Sequence, residues 1–168
     1  MMGGTIEISS KRGVGTKVVV TVPLDWSEAS GGAKGRDGAS AVFSLSGRRV
    51  LLVEDNEMNR EIANWMLTEQ GATVDEAVDG REAVEKFRAG AYDYVLMDIQ
   101  MPVMNGYEAT RAMREIEASR GAPRTPIVAL SANAFEEDRR RSLDAGMDEH
   151  LSKPIRASDL AAALGRLS

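Results

Sequence analysis

The chain has 168 residues, of which 43% are hydrophobic and 28% are charged, as in ordinary globular proteins. Its net charge of −5 gives no support to binding of nucleic acids or anionic membranes, and the lack of cysteine excludes disulfides and thiol chemistry. Every apolar run falls far short of the roughly 20 residues that span a bilayer, and no signal peptide is visible, so we expect a cytoplasmic protein.

The first 24 residues predict a β-hairpin. Residues 5–9 alternate between apolar and polar side chains, residues 17–22 are rich in valine, and a glycine-bearing loop joins them. The segments that carry a resemblance are Gly4-Thr5-Ile6-Glu7-Ile8, Gly13-Val14-Gly15-Thr16 and Pro23-Leu24. They resemble the carboxyl end of the ATP-binding domain of sensor histidine kinases. The other nucleotide-binding motifs of that family are absent, so we expect no useful ATP binding here.

Residues 25–47 are rich in Ser, Gly and Ala and predict a flexible linker. In residues 48–168, predicted strands at 50–53, 73–77, 94–98, 127–130 and near 150–151 alternate with helices. This alternation predicts an α/β fold with a doubly wound, five-stranded parallel sheet. The apolar first, third and fourth strands suit the interior, so right-handed crossovers favour the strand order 2-1-3-4-5.

The predicted helices should pack apolar faces against this sheet. The first helix, at about 56–70, carries Met58, Ile62 and Trp65 on one face, and the last carries Leu160 and Leu164 on one stripe. We expect these faces to point toward the core.

Polar side chains follow four of the predicted strands. Glu54 and Asp55 follow the first, Asp98 the third, Ser131 the fourth and Lys153 the short fifth. The strand order brings these carboxyl ends together at one edge of the sheet, where ligands of open α/β sheets bind.

Chemistry at that edge points to phosphoryl transfer. Clustered carboxylates are tolerable if a hard divalent cation neutralises them, and Mg²⁺ suits a site that offers few oxygen ligands. A lysine and a serine hydroxyl beside the cation are explained together by a phosphoryl ligand. Asp98 is then the candidate nucleophile, forming an aspartyl phosphate.

The same residues lie in motifs with a resemblance of their own. The motifs are Glu54-Asp55-Asn56, Met97-Asp98-Ile99-Gln100-Met101-Pro102, Met104-Asn105-Gly106, Ser131-Ala132-Asn133 and Lys153-Pro154. They resemble the receiver domain of two-component response regulators, a flavodoxin-like fold, over residues 48–168. The resemblance implies that Asp98 accepts a phosphoryl group from a phosphohistidine.

The resemblance also assigns roles around Asp98. It implies that Asp55, Asp98 and the main-chain carbonyl of Gln100 bind Mg²⁺, and that Glu54 holds waters of the metal. By the same resemblance Lys153 pairs with phosphoryl oxygens or with Asp98, and its bond to the following proline is often cis. Ser131 would turn toward the phosphoryl group and report its presence.

One position departs from the family pattern. Receiver domains commonly have Tyr or Phe three residues before the lysine, as the partner of the hydroxyl switch, and here that residue is His150, the only histidine of the chain. Two interpretations of His150 stay open. It is either a partly exposed strand histidine without a switching role, or a switch residue that makes the phosphorylated state sensitive to pH.

The order of the segments is that of the end of a hybrid sensor histidine kinase: the tail of an ATP-binding domain, a linker, then a receiver, with no output domain after Ser168. We expect no complete kinase here, only phosphotransfer to Asp98 and autodephosphorylation. The expected partners are the kinase's phosphohistidine domain and a histidine-phosphotransfer protein. We expect this chain to contact neither nucleic acid nor a membrane. A membrane anchor, if the parent kinase has one, is expected outside this chain.

Two other functions conflict with particular residues of the sequence. A haloacid-dehalogenase phosphatase needs a second acid where Gln100 stands, and a flavin binder needs a phosphate loop where residues 54–57 are acidic. The remaining alternative is a non-catalytic interaction module that regulates the parent kinase.

Overall fold

The structure is a computed structural model that describes residues 5–11, 15–21, 44–132 and 136–167. It divides the chain into two units, Met1–Ala39 and Ser40–Ser168. In the first, strand β1 (Thr5–Lys11) pairs antiparallel with β2 (Gly15–Thr21), in a register that sets Thr5 opposite Thr21. This is the predicted hairpin. Its glycine turn at 12–14, its last residues 22–24 and residues 25–43 of the predicted linker lie outside the described residues. The predicted domain limits stay a prediction.

The second unit holds the predicted five-stranded sheet. Its strands are β3 (Arg49–Val53), β4 (Thr73–Ala77), β5 (Tyr94–Asp98), β6 (Ile127–Ser131) and β7 (Glu149–Ser152). All neighbours pair parallel, in the order β4-β3-β5-β6-β7, which is the predicted order 2-1-3-4-5. The helices are α1 (Glu57–Glu69), α2 (Gly80–Ala89), α3 (Gly106–Arg120), α4 (Glu136–Asp144) and α5 (Ala157–Arg166). The α/β prediction is therefore confirmed.

Both faces of this sheet are covered by helices. Apolar side chains of α2 and α3, such as Phe87 and Met113, pack on one face with Met97 of β5. Leu67 of α1 and Leu164 of α5 pack on the other face with β3, β5 and β6. Every residue of β5 and β6 is buried, whereas β4 has only Ala77 buried, as expected for an edge strand.

The helix ends follow from local side-chain chemistry. Asn56, Asp79 and Asn105 each accept a hydrogen bond from a main-chain N–H in the first turn of the following helix, and Asn105 forms a capping box with Glu108. These caps fix where the loops after β3, β4 and β5 give way to helix. The two loops that carry Glu54, Asp55 and Asp98 are therefore held at their far ends.

The apolar residues predicted to form one face of α1 do lie on one side of the helix, but that side faces solvent. Met58, Ile62 and Trp65 are 70%, 46% and 63% exposed. The residues that α1 buries are Ala63 and Leu67. The helix has two apolar faces and only one can lie on the sheet, and the small Ala63 lets it approach closely. The expectation that Met58, Ile62 and Trp65 point to the core was wrong.

Candidate functional site

Three carboxylates meet at the carboxyl ends of neighbouring strands. Glu54 and Asp55 directly follow β3, and Asp98 is the last residue of β5, which pairs with β3. One oxygen from each of these three side chains lies within 4.8 Å of the others. The strand order alone produces this meeting, because β3 and β5 are adjacent and end at the same level. The predicted acid cluster is present in the structure.

The loop after β5 approaches the site closely because of a glycine. Gly106 begins α3, and its N–H donates to the Ile99 oxygen at 3.0 Å. A Cβ at Gly106 would lie 2.2 Å from the main-chain oxygen of Asp98, so any larger residue would push α3 away from β5. Between them, Met104 N–H donates to the Pro102 oxygen at 2.7 Å in a tight turn centred on Val103, whose φ is 69°.

Lys153 provides the positive charge of the site. Its Nζ donates to Asp98 Oδ2 at 2.7 Å and lies 2.6 Å from Glu54 Oε2. The second contact is an ion pair, and the Glu54 oxygen that forms it is buried. The Lys153–Pro154 peptide bond is cis, as the resemblance implied.

Burial and neighbouring charges shift the pKa values of Asp98 and Lys153. Glu54 is 1% exposed and Asp98 4%. Burial raises the pKa of Asp98 and the charge of Glu54 raises it further, although the hydrogen bond from Lys153 opposes both. Burial by itself would lower the pKa of Lys153, but its contacts with Asp98 and Glu54 outweigh this and leave that pKa raised. The lysine is therefore held charged against the acids.

These donors fit a hard divalent cation. Three carboxylate oxygens lie within one small volume, and one lysine does not balance three acids. The buried Glu54 Oε2 has the ammonium of Lys153 as its neighbour, so a cation or a water bound to one would share this oxygen with the lysine. Asp55 is the exposed member, so the cluster opens to solvent on its side.

Gln100 and Ser131 complete the set that the strand ends bring together. Gln100 N–H donates to Asp98 Oδ1 at 3.1 Å, which fixes the carboxylate from the loop side. Ser131 ends β6, is 5% exposed, and its main-chain oxygen accepts from Lys153 N–H at 2.7 Å. A cleft of about 250 Å³ opens beside Gln100 and Ser131 and is bordered by Arg141 of α4.

His150 lies on β7, opposite Ala129 of β6, and its ring contacts α4. Ser142 Oγ donates to the Asp138 oxygen at 2.9 Å and lies 3.3 Å from His150 Nδ1. The Ser142 hydroxyl therefore links the His150 ring to the main chain of α4. The ring is thus bonded to α4.

Two contributors were missed by the sequence reasoning. Asn59 Nδ2 donates to Glu54 Oε1 at 3.0 Å, and Arg60 Nη1 donates to the main-chain oxygen of Glu54 at 2.9 Å. Their position in the first turns of α1, just after the acid pair, could have predicted these contacts. Polar side chains there point back toward the preceding turn and so toward the loop.

Comparison with known proteins agrees with this site. The model of the family described as response regulator receiver domain matches residues 50–165. The hybrid signal transduction histidine kinase B of Dictyostelium discoideum is 44% identical over 130 residues, which are 73% of this chain and 7% of that protein. The aerobic respiration control sensor protein ArcB of Escherichia coli is 38% identical over 165 residues, 97% of this chain and 20% of that protein. The chain spans a fifth or less of these relatives.

Solved structures give the same result. The magnesium-bound receiver domain of a sensor histidine kinase from Pseudomonas aeruginosa PAO1 is 42% identical, with a TM-score of 0.65 over 72% of this chain and 97% of that chain. The co-crystal structure of the Saccharomyces cerevisiae histidine phosphotransfer protein Ypd1 and the receiver domain of Ssk1 matches at 34% identity and a TM-score of 0.65, over 68% of this chain and 83% of that chain.

Among the described residues, no helix has the length and apolar character needed to cross a bilayer. Family match, sheet order and acid cluster agree, and the chain belongs to the response regulator receiver domain family, with relatives among hybrid histidine kinases.

Proposed function

We propose that this chain accepts a phosphoryl group on Asp98 from a phosphohistidine, in a phosphorelay that includes a hybrid histidine kinase. The single observation that carries the proposal is the meeting of Glu54, Asp55 and Asp98 within 4.8 Å, with Lys153 bonded to Asp98 at 2.7 Å. The intact acid set argues against the alternative of a non-catalytic interaction module.

In the transfer, a carboxylate oxygen of Asp98 attacks phosphorus while the phosphorus–nitrogen bond of the phosphohistidine breaks. The imidazole nitrogen leaves with the electron pair, and water later hydrolyses the aspartyl phosphate to inorganic phosphate. Lys153 already contacts the attacking carboxylate and offers its charge to the phosphoryl oxygens.

Glu54, Asp55 and Asp98 would hold Mg²⁺, together with the main-chain carbonyl of Gln100. When bound, the ion supplies the charge neutralisation that phosphoryl transfer requires. The magnesium-bound receiver domain among the similar structures supports this assignment.

The chemistry is tested by incubating the chain with acetyl phosphate and Mg²⁺ and measuring its intact mass. The wild type gains the mass of one phosphoryl group, whereas Asp98→Asn gains none and removal of Mg²⁺ with EDTA abolishes the gain. An equal mass gain in Asp98→Asn would refute the assignment.

Ser131 and His150 are the proposed response elements. The Ser131 hydroxyl would bond the phosphoryl group at the end of β6, and the His150 ring, held by Ser142 at 3.3 Å, would pass the change to α4. The phosphorylation-induced spectral change of α4 should therefore become smaller in His150→Ala, which removes the ring that contacts Ser142.

The partner is proposed from the exposed face of α1. A phosphohistidine must reach Asp98, which is 4% exposed, so its protein must cover the rim of the site. Ile62 of α1, with Pro154 and Ile155, forms a small apolar notch beside Lys153, and Met58 and Trp65 extend this apolar surface along α1. A histidine-bearing helix of a kinase or phosphotransfer domain fits such a surface.

Charge narrows the choice of partner. The exposed part of α1 also carries Glu57, Glu61 and Glu69, so a partner with basic residues around an apolar patch is favoured. Ypd1, which was crystallised with a receiver domain similar to this one, is a suitable donor for the test.

Because phosphohistidine donors are made with ATP, the same proposal places this domain in the cytoplasm.

Docking is separated from chemistry by comparing a protein donor with acetyl phosphate. We expect Ile62→Ala and Trp65→Ala to slow transfer from phosphorylated Ypd1 by about tenfold, the loss of a typical interface anchor, and to leave acetyl phosphate labelling unchanged. Leu143→Ala on α4 is the matched control, since Leu143 is 48% exposed and Ile62 46%. Equal slowing in all three variants would contradict the docking assignment.

A further inference from the structure

The Glu54 carboxylate is buried and needs a donor to hold its orientation. It is 1% exposed, with Asp55 and Asp98 beside it, and like charges at this distance drive a flexible side chain away. Its Oε1 accepts from Asn59 Nδ2 at 3.0 Å, while its Oε2 lies toward Lys153 at 2.6 Å. Asn59 therefore turns one oxygen away from the cluster and leaves the other facing it.

The main chain of Glu54 is held separately. Its N–H donates to the Ala77 oxygen at 3.1 Å, and its oxygen accepts from Arg60 Nη1 at 2.9 Å. Arg60 Nε in turn donates to Glu76 Oε2 at 3.1 Å, and Asn64 donates to the other oxygen of Glu76. The Arg60 side chain is only 15% exposed. The loop that carries the acid pair is thus braced against the edge strand β4.

We propose that Asn59 and Arg60 are positioning residues for the cation site. Asn59 sets the direction of the Glu54 carboxylate, and Arg60, through Glu76, sets the main-chain position of Glu54 and Asp55. Neither is assigned a contact with the phosphoryl group, and both act through residues that would hold the ion. The inference rests on the proposed function only in taking the cation to be Mg²⁺.

A purely structural role makes a different prediction. If the two residues only stabilise α1 and β4, their loss lowers the midpoint of thermal unfolding, and the protein that remains folded binds Mg²⁺ normally. If they position the acids, their loss weakens Mg²⁺ binding, and outer-shell partners of this kind typically contribute ten- to a hundredfold to metal affinity. Excess Mg²⁺ should then restore phosphorylation.

The test is a Mg²⁺ titration of the full chain, followed by amide chemical shifts of residues after β3 and β5, on wild type, Asn59→Leu, Arg60→Met and Arg60→Lys. Asn59→Leu keeps the shape of the side chain and removes the donor. We expect it to weaken Mg²⁺ binding about tenfold at a temperature where the variant is fully folded in EDTA. Arg60→Met should weaken binding by a similar factor, and Arg60→Lys, which keeps the charge, by less.

A second readout is the Mg²⁺ concentration that gives half-maximal labelling by acetyl phosphate. It should rise about tenfold in Asn59→Leu, with wild-type labelling regained at saturating Mg²⁺. Glu61→Gln, at an exposed position of the same helix, is the control and should match wild type in both readouts. Unchanged Mg²⁺ affinity in both Asn59→Leu and Arg60→Met would overturn the inference alone. Failure of the wild type to bind Mg²⁺ at these residues would overturn the proposed function together with it.

Discussion

Gly106→Ala is the substitution whose effect follows most directly from the geometry. The added Cβ would lie 2.2 Å from the Asp98 oxygen, and ordinary contact begins at 3.4 Å, so α3 or β5 must shift by about 1 Å. This oxygen belongs to the main chain of a buried central strand, so it cannot rotate away as a side-chain atom could. Overpacking of this kind lowers the free energy of unfolding by about 3 kcal/mol. The lower entropy of the unfolded alanine chain offsets about 1 kcal/mol of this loss. We expect a net loss of about 2 kcal/mol, or roughly thirtyfold in the ratio of folded to unfolded protein.

The assay is equilibrium unfolding in urea followed by far-ultraviolet circular dichroism, which yields the free energy of unfolding. The matched control is Gly90→Ala, where the nearest atoms lie at 3.5 Å and the main chain is extended, so a change within about 0.5 kcal/mol is expected. Because the crowded oxygen belongs to Asp98, Gly106→Ala should also slow acetyl phosphate labelling of the protein that is folded. Wild-type stability of Gly106→Ala would refute the reasoning.

Three further predictions concern stability away from the site. Arg114→Met should cost about 3 kcal/mol in urea unfolding, because Arg114 neutralises Glu117 and Asp148, which are 8% and 19% exposed in their side chains; a loss below about 1 kcal/mol would contradict this. Thr110→Val should be neutral or stabilise by up to about 1 kcal/mol in the same assay, since the buried Thr110 hydroxyl has no hydrogen-bond partner among the described residues, and a clear destabilisation would reveal one. Burial and a hydrogen bond to Asp75 raise the pKa of Tyr92 to about 12, from 10.0 when unfolded, so its contribution is complete below pH 10.0 and is lost as the pH rises through about 12. Wild type should therefore lose more stability than Tyr92→Phe across that interval, and parallel curves would argue against the shift.

The sheet order and the acid cluster were predictable because both follow from patterns read along the chain. Continuous apolar runs place β3, β5 and β6 in the interior, and parallel neighbours end at one edge. Glu54, Asp55 and Asp98 are strand-end residues, so their meeting requires no knowledge of side-chain conformation. The motif resemblance then supplied their roles.

The orientation of α1 was not predictable from periodicity. A helix with two apolar faces has the same spacing whichever face is buried, and the choice of Ala63 over Ile62 depends on how closely the helix approaches the sheet. The contacts of Asn59 and Arg60 were missed for a related reason. They depend on how far each side chain reaches from α1 toward the main chain of Glu54, which a residue pattern does not contain.

The most direct test of the central claim is to locate the phosphorylated residue after incubation with acetyl phosphate and Mg²⁺. Reduction with borohydride converts an aspartyl phosphate to homoserine, which peptide mass spectrometry assigns to one position. We predict homoserine at Asp98 alone, with none when Mg²⁺ is withheld. Homoserine at another carboxylate, or its absence from a protein shown to be folded, would contradict the account of this edge of the sheet as a phosphoryl acceptor.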